Sequence, residues 1–398
     1  MSSTGRPPCS RPRADRGRLT FIAEGTRAIA ARAEAELGAL VAVSSPSGDV
    51  RGAEEALAVA RALLPPQAEV ERIPCSSPGF APDLLATVRG TGGLRLVLLG
   101  HVDTVVTHDA HRSVEPDGER LYGSGTVDMK GGVVMAIGVL RALVEVPASF
   151  AEVGLLLVTD EEWRTEPFAH AERFSGFDGC LSFEAGERTR DGEEGVVVRR
   201  KAAGTLRVEA RGRAAHSGSA PDDGRNALLA LGAAAERVAA HHDPGGPDRL
   251  SVVPTILRSG DAFNVVPAAG ELFCDLRADR LAAFAPVLDA VPREVGGATL
   301  EARLVREWPG MDAAAETAPL LLAAGERLGR PVVPVHRGGA SDASHLAAVV
   351  PVTVDGLGPR GGGAHTPEEF VRADSLASRA EVALAVAAAL LGVDQGAR

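Results

Sequence analysis

The apolar run Leu94-Arg95-Leu96-Val97-Leu98-Leu99-Gly100 ends in His101-Val102-Asp103. Strand side chains two positions apart share a face, so this run presents an imidazole and a carboxylate together at its tip. A metal-ligating histidine backed by a carboxylate has this composition. A polar turn closing a buried strand has it too. A second apolar run, Val153 to Val158, leads into Thr159-Asp160-Glu161-Glu162, and Leu181-Ser182-Phe183 leads into Glu184. Asp128 sits in Leu121-Tyr122-Gly123-Ser124-Gly125-Thr126-Val127-Asp128-Met129-Lys130-Gly131-Gly132, and His365 in the glycine-rich stretch Gly361 to Pro367. Singly, a solvated loop, a helix cap or an exposed loop histidine accounts for each of these. As a set they fall in loops at the strand ends of an α/β layer, where such sheets bind ligands. Two histidines (His101, His365) with three carboxylates (Asp128, Glu162, Glu184) suit two divalent cations that share one carboxylate. The adjacent Glu161 and Glu162 allow a division of labour. A carboxylate on a metal is held as an anion, while a free neighbour can take and return a proton.

Such residues need a frame. Apolar positions at helical spacing over 21–43 stop at Ser44-Ser45-Pro46-Ser47-Gly48, and a second helix over 54–64 stops at Pro65-Pro66. Strands are expected at 83–89 and 94–99, adjacent around Gly90-Thr91-Gly92-Gly93, followed by a helix over 133–144 and the strand 153–158. Alternating helices and fully apolar strands predict a three-layer α/β domain with a mainly parallel central sheet. From Lys201 the texture changes: strand 205–211, helix 226–241, strands 250–258 and 270–278, helix 281–291 and strand 299–305. That is the β-α-β-β-α-β order of a ferredoxin-like α+β domain, read as an insertion. The α/β texture resumes with helix 318–328, strands near 332–335 and 351–354, and a closing helix 375–391. The expected organisation is therefore a disordered basic tail at 1–20, one domain formed by 21–200 with 309–398, and an inserted domain at 201–308.

Composition narrows the function classes. At 398 residues the chain exceeds the size of one core, consistent with two domains. A balance of 42 basic and 53 acidic residues argues against nucleic acid and anionic membrane as partners. No apolar run is long enough to predict a membrane-spanning helix. Residues 1–18 lack the apolar segment of a secretory signal. Four cysteines without a C-x-x-C pair predict neither a disulfide framework nor a thiolate zinc site, and fit a reducing, cytoplasmic setting. In Gly123-x-Gly125-x-x-Asp128 an aspartate replaces the third glycine of the dinucleotide fingerprint, where its charge would oppose a pyrophosphate. Neither G-x-S-x-G nor H-E-x-x-H occurs, so serine hydrolase and single-zinc protease chemistry lack their motifs.

The ordered motifs resemble those of the di-zinc amidohydrolase and metallopeptidase family that contains acetylornithine deacetylase, succinyl-diaminopimelate desuccinylase, aminoacylase and bacterial glutamate carboxypeptidase. The resemblance covers nearly all of the chain after the tail. It implies that Asp128 bridges two metals, that His101 and Glu184 complete one site and Glu162 and His365 the other, that Asp103 orients His101, and that Glu161 is the general base. Ala215-His216-Ser217-Gly218, with Pro221, Gly224 and Asn226 following, is similar to the family's lid motif. This implies that His216 stabilises an oxyanion in the other subunit of a homodimer formed through the lid. Asn264 and Arg277 resemble substrate-contacting positions. Arg306 and Arg337 add guanidinium groups suited to a substrate carboxylate, and Arg337 to Asp342 resembles the glutamate carboxypeptidase branch. The expected activity is cleavage of a small peptide or folate-like amide carrying a free carboxylate, with release of a C-terminal amino acid. The alternatives are deacylation of an N-acyl amino acid and a non-catalytic metal-binding role. The implied cofactors are two divalent ions, zinc first, with cobalt or manganese as substitutes. Trp163-Arg164-Thr165 stands where the family has small residues, and Ala185 where proline is common, so a different pocket rim is expected.

Overall fold

A computed structural model of the protein describes residues 20–393. The expected basic tail lies outside the described residues apart from Thr20, whose Oγ1 caps the first helix by accepting the Ala23 N–H at 3.3 Å. The molecule has a mixed α/β fold. Its six-stranded sheet runs in the order Glu69–Ile73, Asp83–Arg89, Glu152–Val158, Arg95–His101, Gly179–Ser182, Thr353–Val354. The first two pairings are antiparallel and the other three parallel.

The strands at 83–89 and 95–101 are not adjacent, contrary to the expectation from the short glycine turn. Glu152–Val158 lies between them and pairs with both. Residues 90–92 explain this. Their N–H groups donate to Ala151, Pro147 and Phe150 carbonyls at 2.7–3.0 Å, and a methyl group at Gly90 would overlap the Phe150 and Pro147 oxygens. The turn is thus docked on the segment that enters the intervening strand.

Both faces of the sheet are covered, which is why its central strands are continuously apolar. Leu96, Leu98, Leu155 and Leu157 face a core shared with the helices Phe21–Val41, Gly131–Leu143 and Ala373–Leu391. Val97, Leu99, Leu156 and Val158 face a smaller core with Phe168, Phe174, Phe177, Leu346 and Val350. The strand expected near 332–335 belongs to another sheet. Val332–Arg337 runs parallel to Glu194–Arg200, a strand with no counterpart among the sequence expectations. A small antiparallel sheet joins Arg120–Tyr122 to Phe370–Arg372 and Gly361–Gly362, and it carries the loop of His365.

Residues 202–304 gather a second hydrophobic core. Its antiparallel sheet has the order Ser251–Ser259, Ala269–Ala278, Ala202–Arg211, Ala298–Trp308, Glu294–Val295, packed on the helix Ala227–Ala239. The single helix expected over 281–291 is instead a short turn, Leu281–Phe284, followed by Ala285–Asp289. Pro286 supplies the reason, since proline lacks an amide hydrogen and favours the start of a helix. Register matters for the site. Ala203 pairs with Arg277 and Trp308, while Thr205 pairs with Asp275 and Arg306, before a bulge after Thr205 shifts the pairing. Asp275, Arg277, Arg306 and Trp308 therefore emerge on one face at one end of this sheet.

Candidate metal centre

His101 closes its strand and is buried. Its Nδ1 lies 3.0 Å from the backbone oxygen of Asp103 and 3.3 Å from the Asp103 carboxylate. Both are acceptors, so Nδ1 carries a hydrogen and Nε2 faces the centre. The Asp103 carboxylate also accepts the N–H groups of Glu161 at 3.3 Å and Glu162 at 3.1 Å. One buried acid thus orients the imidazole and fixes the loop beyond the neighbouring parallel strand.

Asp128 occupies an irregular turn between Gly125 and the helix Gly131–Leu143. The turn is cradled by Glu369, whose carboxylate accepts N–H groups from Gly125, Val127 and Asp128 at 2.8, 2.9 and 3.0 Å. Buried Lys130 anchors its far side by donating to the Val43 carbonyl at 2.6 Å. Gly132 permits a close approach to the next strand, because a methyl group there would overlap the Phe183 oxygen. That approach brings Glu184 beside Asp128.

The two oxygens of Asp128 face different histidines. Oδ1 is 3.3 Å from His101 Nε2 and Oδ2 is 3.2 Å from His365 Nε2. Glu184 Oε1 lies 3.7 Å from His101 Nε2, and Glu162 Oε2 lies 3.3 Å from His365 Nε2. Two overlapping triads result, His101–Asp128–Glu184 and Asp128–Glu162–His365, each with donor atoms within 4.8 Å of one another. Glu161 adjoins both through a third grouping with His101 and Glu162. His365 adopts φ +65°, a strained conformation for a residue with a side chain. It is held by the turn in which Thr366 N–H and Oγ1–H bond the Gly363 carbonyl at 3.0 and 2.7 Å.

Crowded acids dominate the electrostatics. Burial pushes the Glu184 carboxyl up to about 8, helped by the charge of Asp128. Burial likewise holds Glu161 and Glu162 above the ordinary carboxylate range. For Asp128 burial opposes ionisation, but hydrogen bonds to His101 and His365 hold it below that range. Hydrogen bonds to Asp128 and Glu162 raise His365 to about 10. Hard oxygen and imidazole donors converging in two triads fit divalent ions, and buried like charges at these separations are costly unless positive charge lies between them.

A cavity of about 420 Å³ opens on this centre, lined by Glu161, Glu162 and His365 together with Arg277, Arg306 and Trp308 of the five-stranded antiparallel sheet. Arg277 is engaged by Asp275 at 2.9–3.0 Å. Arg306 donates to the Glu162 backbone oxygen at 2.9 Å and stacks 4.9 Å from the Trp308 ring centre. Among the described residues no carboxylate side chain pairs with it.

Three candidates are not brought to the cavity. Arg337 pairs with Glu187 at 3.1 Å. His216 and Asn264 lie exposed in loops beside the five-stranded antiparallel sheet, joined where Ser217 N–H meets the Asn264 carbonyl at 3.0 Å. Conversely, Glu369 and Lys130 shape the centre without having been singled out in the sequence. Glu369 follows His365 by four residues and acts through backbone amides, which leave no pattern of side-chain types.

The comparisons with known proteins bear on this geometry. Residues 97–389 match the family described as peptidase family M20/M25/M40. Carboxypeptidase G2 of Pseudomonas sp. (strain RS-16) is 27% identical over 316 residues, covering 75% of this chain and 74% of that protein. Succinyl-diaminopimelate desuccinylase of Xylella fastidiosa (strain 9a5c) is 33% identical over 219 residues, covering 50% of this chain and 56% of that protein. A tripeptidase from Staphylococcus aureus subsp. aureus Mu50 shares the fold with a TM-score of 0.74 at 20% identity, covering 91% of this chain and 99% of that one.

Proposed function

The chain belongs to peptidase family M20/M25/M40, an enzyme of the metallopeptidase and amidohydrolase kind, and from that premise we propose that it is a two-metal hydrolase releasing a C-terminal amino acid from a small peptide or amide. The observation that carries the proposal is Asp128, which turns one oxygen toward each of two histidines. In this reading His101 and Glu184 hold one ion, Glu162 and His365 the other, and Asp128 is shared. Held by these residues, zinc, or cobalt or manganese in its place, would supply Lewis acidity for amide hydrolysis. Glu161, beside both triads, would take a proton from the attacking water and return it to the amine nitrogen as the amide C–N bond breaks. Asp103 keeps the His101 ring in its ligating tautomer. Arg306, which pairs with no carboxylate side chain among the described residues, and Arg277 receive the substrate carboxylate in this cavity. Arg337, held by Glu187, is not assigned a substrate contact.

Residues 21–200 with 309–398 form the catalytic unit in this proposal, and residues 201–308 a lid that also makes a homodimer. The exposed edge strand supports this, with Val253, Ile256 and Leu257 at 40–43% exposure beside Leu229 at 67% and a fully exposed Phe263. His216 Nδ1 accepts N–H groups from Gly218 and Ser219 at 3.1 Å each, so Nε2 carries the hydrogen and is a donor. Lying outside the cavity of its own chain, it serves the partner's site by donating to the developing oxyanion, with Asn264 beside it on the substrate. Cys75, Cys180 and Cys274 are free thiols, which suits a cytoplasmic location. The likeness to the desuccinylase favours a second reading, removal of an N-acyl group by the same residues.

A hydrolysis screen of dipeptides, N-acyl amino acids and N-aroyl glutamates with zinc, cobalt or manganese tests the proposal. Metal-dependent release of the C-terminal amino acid, abolished by Glu161→Gln, is expected. No metal-dependent turnover of any of these amides would overturn it.

A further inference from the structure

We propose that Arg164 is a positioning residue that ties the loop carrying Glu161 and Glu162 to the cavity wall at Gly339–Asp342 and to the strand returning from the inserted sheet. This rests on the hydrolase reading above for its kinetic consequence, but the tie itself stands on contacts alone. Arg164 follows Glu162 by two residues and its side chain is 2% exposed. Its Nε and Nη2 donate to Asp160 Oδ1 at 3.2 and 2.8 Å. Nη1 and Nη2 also donate to the two oxygens of Asp342, the latter at 2.7 Å. The guanidinium lies 4.9 Å from the Phe168 ring centre and 5.5 Å from that of Trp308.

Each partner is itself immobilised. The second oxygen of Asp160 accepts the N–H and O–H of Ser77 at 3.0 and 2.8 Å. On the far side Ser341 donates to Asp355 at 2.7 Å, Arg200 donates to the same Asp355 oxygen at 2.6 Å, and Arg200 also bonds the Gly339 carbonyl at 2.9 Å. Gly339 and Ala340 line the same cavity as Glu161. Trp308 is the last residue of its strand, and its ring lies near two guanidinium groups, 5.5 Å from that of Arg164 and 4.9 Å from that of Arg306. Arg306 in turn bonds the Glu162 carbonyl. The base loop, the cavity wall at Gly339–Asp342 and the end of the inserted sheet are thus linked through one buried cation.

A buried arginine between two carboxylates is a poor device for stability alone, because desolvation offsets its attraction and apolar residues of similar volume do as well. Fixed geometry is what a planar five-donor fork supplies. Drawing Arg164 inward also leaves Trp163 outward on the cavity, 59% exposed.

The test uses Arg164→Lys, which keeps the cation but loses the fork, and Asp342→Asn, which keeps the shape, in the full metal-loaded chain. Amide hydrogen exchange is read over 159–165 and 338–342. Each substitution is expected to speed exchange about tenfold in the other segment as well as its own. Acceleration confined to the substituted segment would overturn the tie. In steady-state hydrolysis, kcat is expected to fall about ten- to a hundredfold with KM nearly unchanged and two ions still bound. Wild-type kcat in both variants, or a fall no larger than the loss of folded protein, would overturn the positioning role. If the wild type turns over no amide, the hydrolase reading fails and the exchange arm still decides the tie.

Discussion

Asp103→Asn isolates the carboxylate that serves both the imidazole and the base loop. In the native protein its oxygens meet His101 Nδ1 at 3.3 Å and accept two backbone N–H groups, from Glu161 and Glu162. Asparagine offers one oxygen and one NH2, so one of these buried donors loses its acceptor, at about 1–3 kcal/mol. For a chain of 398 residues, at an unfolding entropy of about 2.1 cal/mol/K per residue, that lowers the melting temperature of the metal-free protein by about 1 °C per kcal/mol. His101 keeps the Asp103 carbonyl at 3.0 Å as an acceptor. Its ring therefore stays near its place but loses the charged partner, and metal affinity is expected to fall about 10- to 100-fold. Cobalt titration against a competing chelator reads the affinity, and thermal melting of the metal-free chain reads the stability. Wild-type values in both would refute the double role assigned to Asp103.

Arg306→Ala removes a cavity guanidinium that pairs with no carboxylate side chain among the described residues, and KM is expected to rise about 10- to 100-fold with little change in kcat, as for a lost charge-assisted hydrogen bond. Arg337→Ala should change KM less, since Arg337 already pairs with Glu187; the reverse order would contradict the assignment. Ile256→Lys on the exposed edge strand is expected to convert a dimer to monomers in sedimentation velocity, and an unchanged dimer would place the interface elsewhere. Mixing His216→Ala with Glu161→Gln subunits should restore activity in heterodimers, whereas no recovery would argue for self-contained subunits.

Much of the centre was legible because its residues follow apolar runs that could only be strands. His101, Glu162 and Glu184 lie at or beyond the ends of 95–101, 152–158 and 179–182, and the structure sets these three strands side by side. Strand order was harder. The close spacing of 83–89 and 95–101 suggests a hairpin, yet the docking of Gly90–Gly92 on residues 147–151 places a third strand between them, and that contact is tertiary. Glu194–Arg200 escaped because charged ends flank a run of only three valines. The roles of Glu369 and Arg164 depend on contacts spanning up to 244 and 178 residues of sequence, beyond the reach of any local pattern. Arg337 shows the converse: its motif was visible, but the neighbour that occupies it, Glu187, was not.

Metal stoichiometry tests the central claim most directly. Elemental analysis of the zinc-loaded chain is expected to give about two ions per subunit, falling to about one in Glu184→Ala and in His365→Ala, which each break a single triad. A wild-type chain that binds no divalent ion, or variants that retain the wild-type content, would contradict the assignment of two sites joined by Asp128.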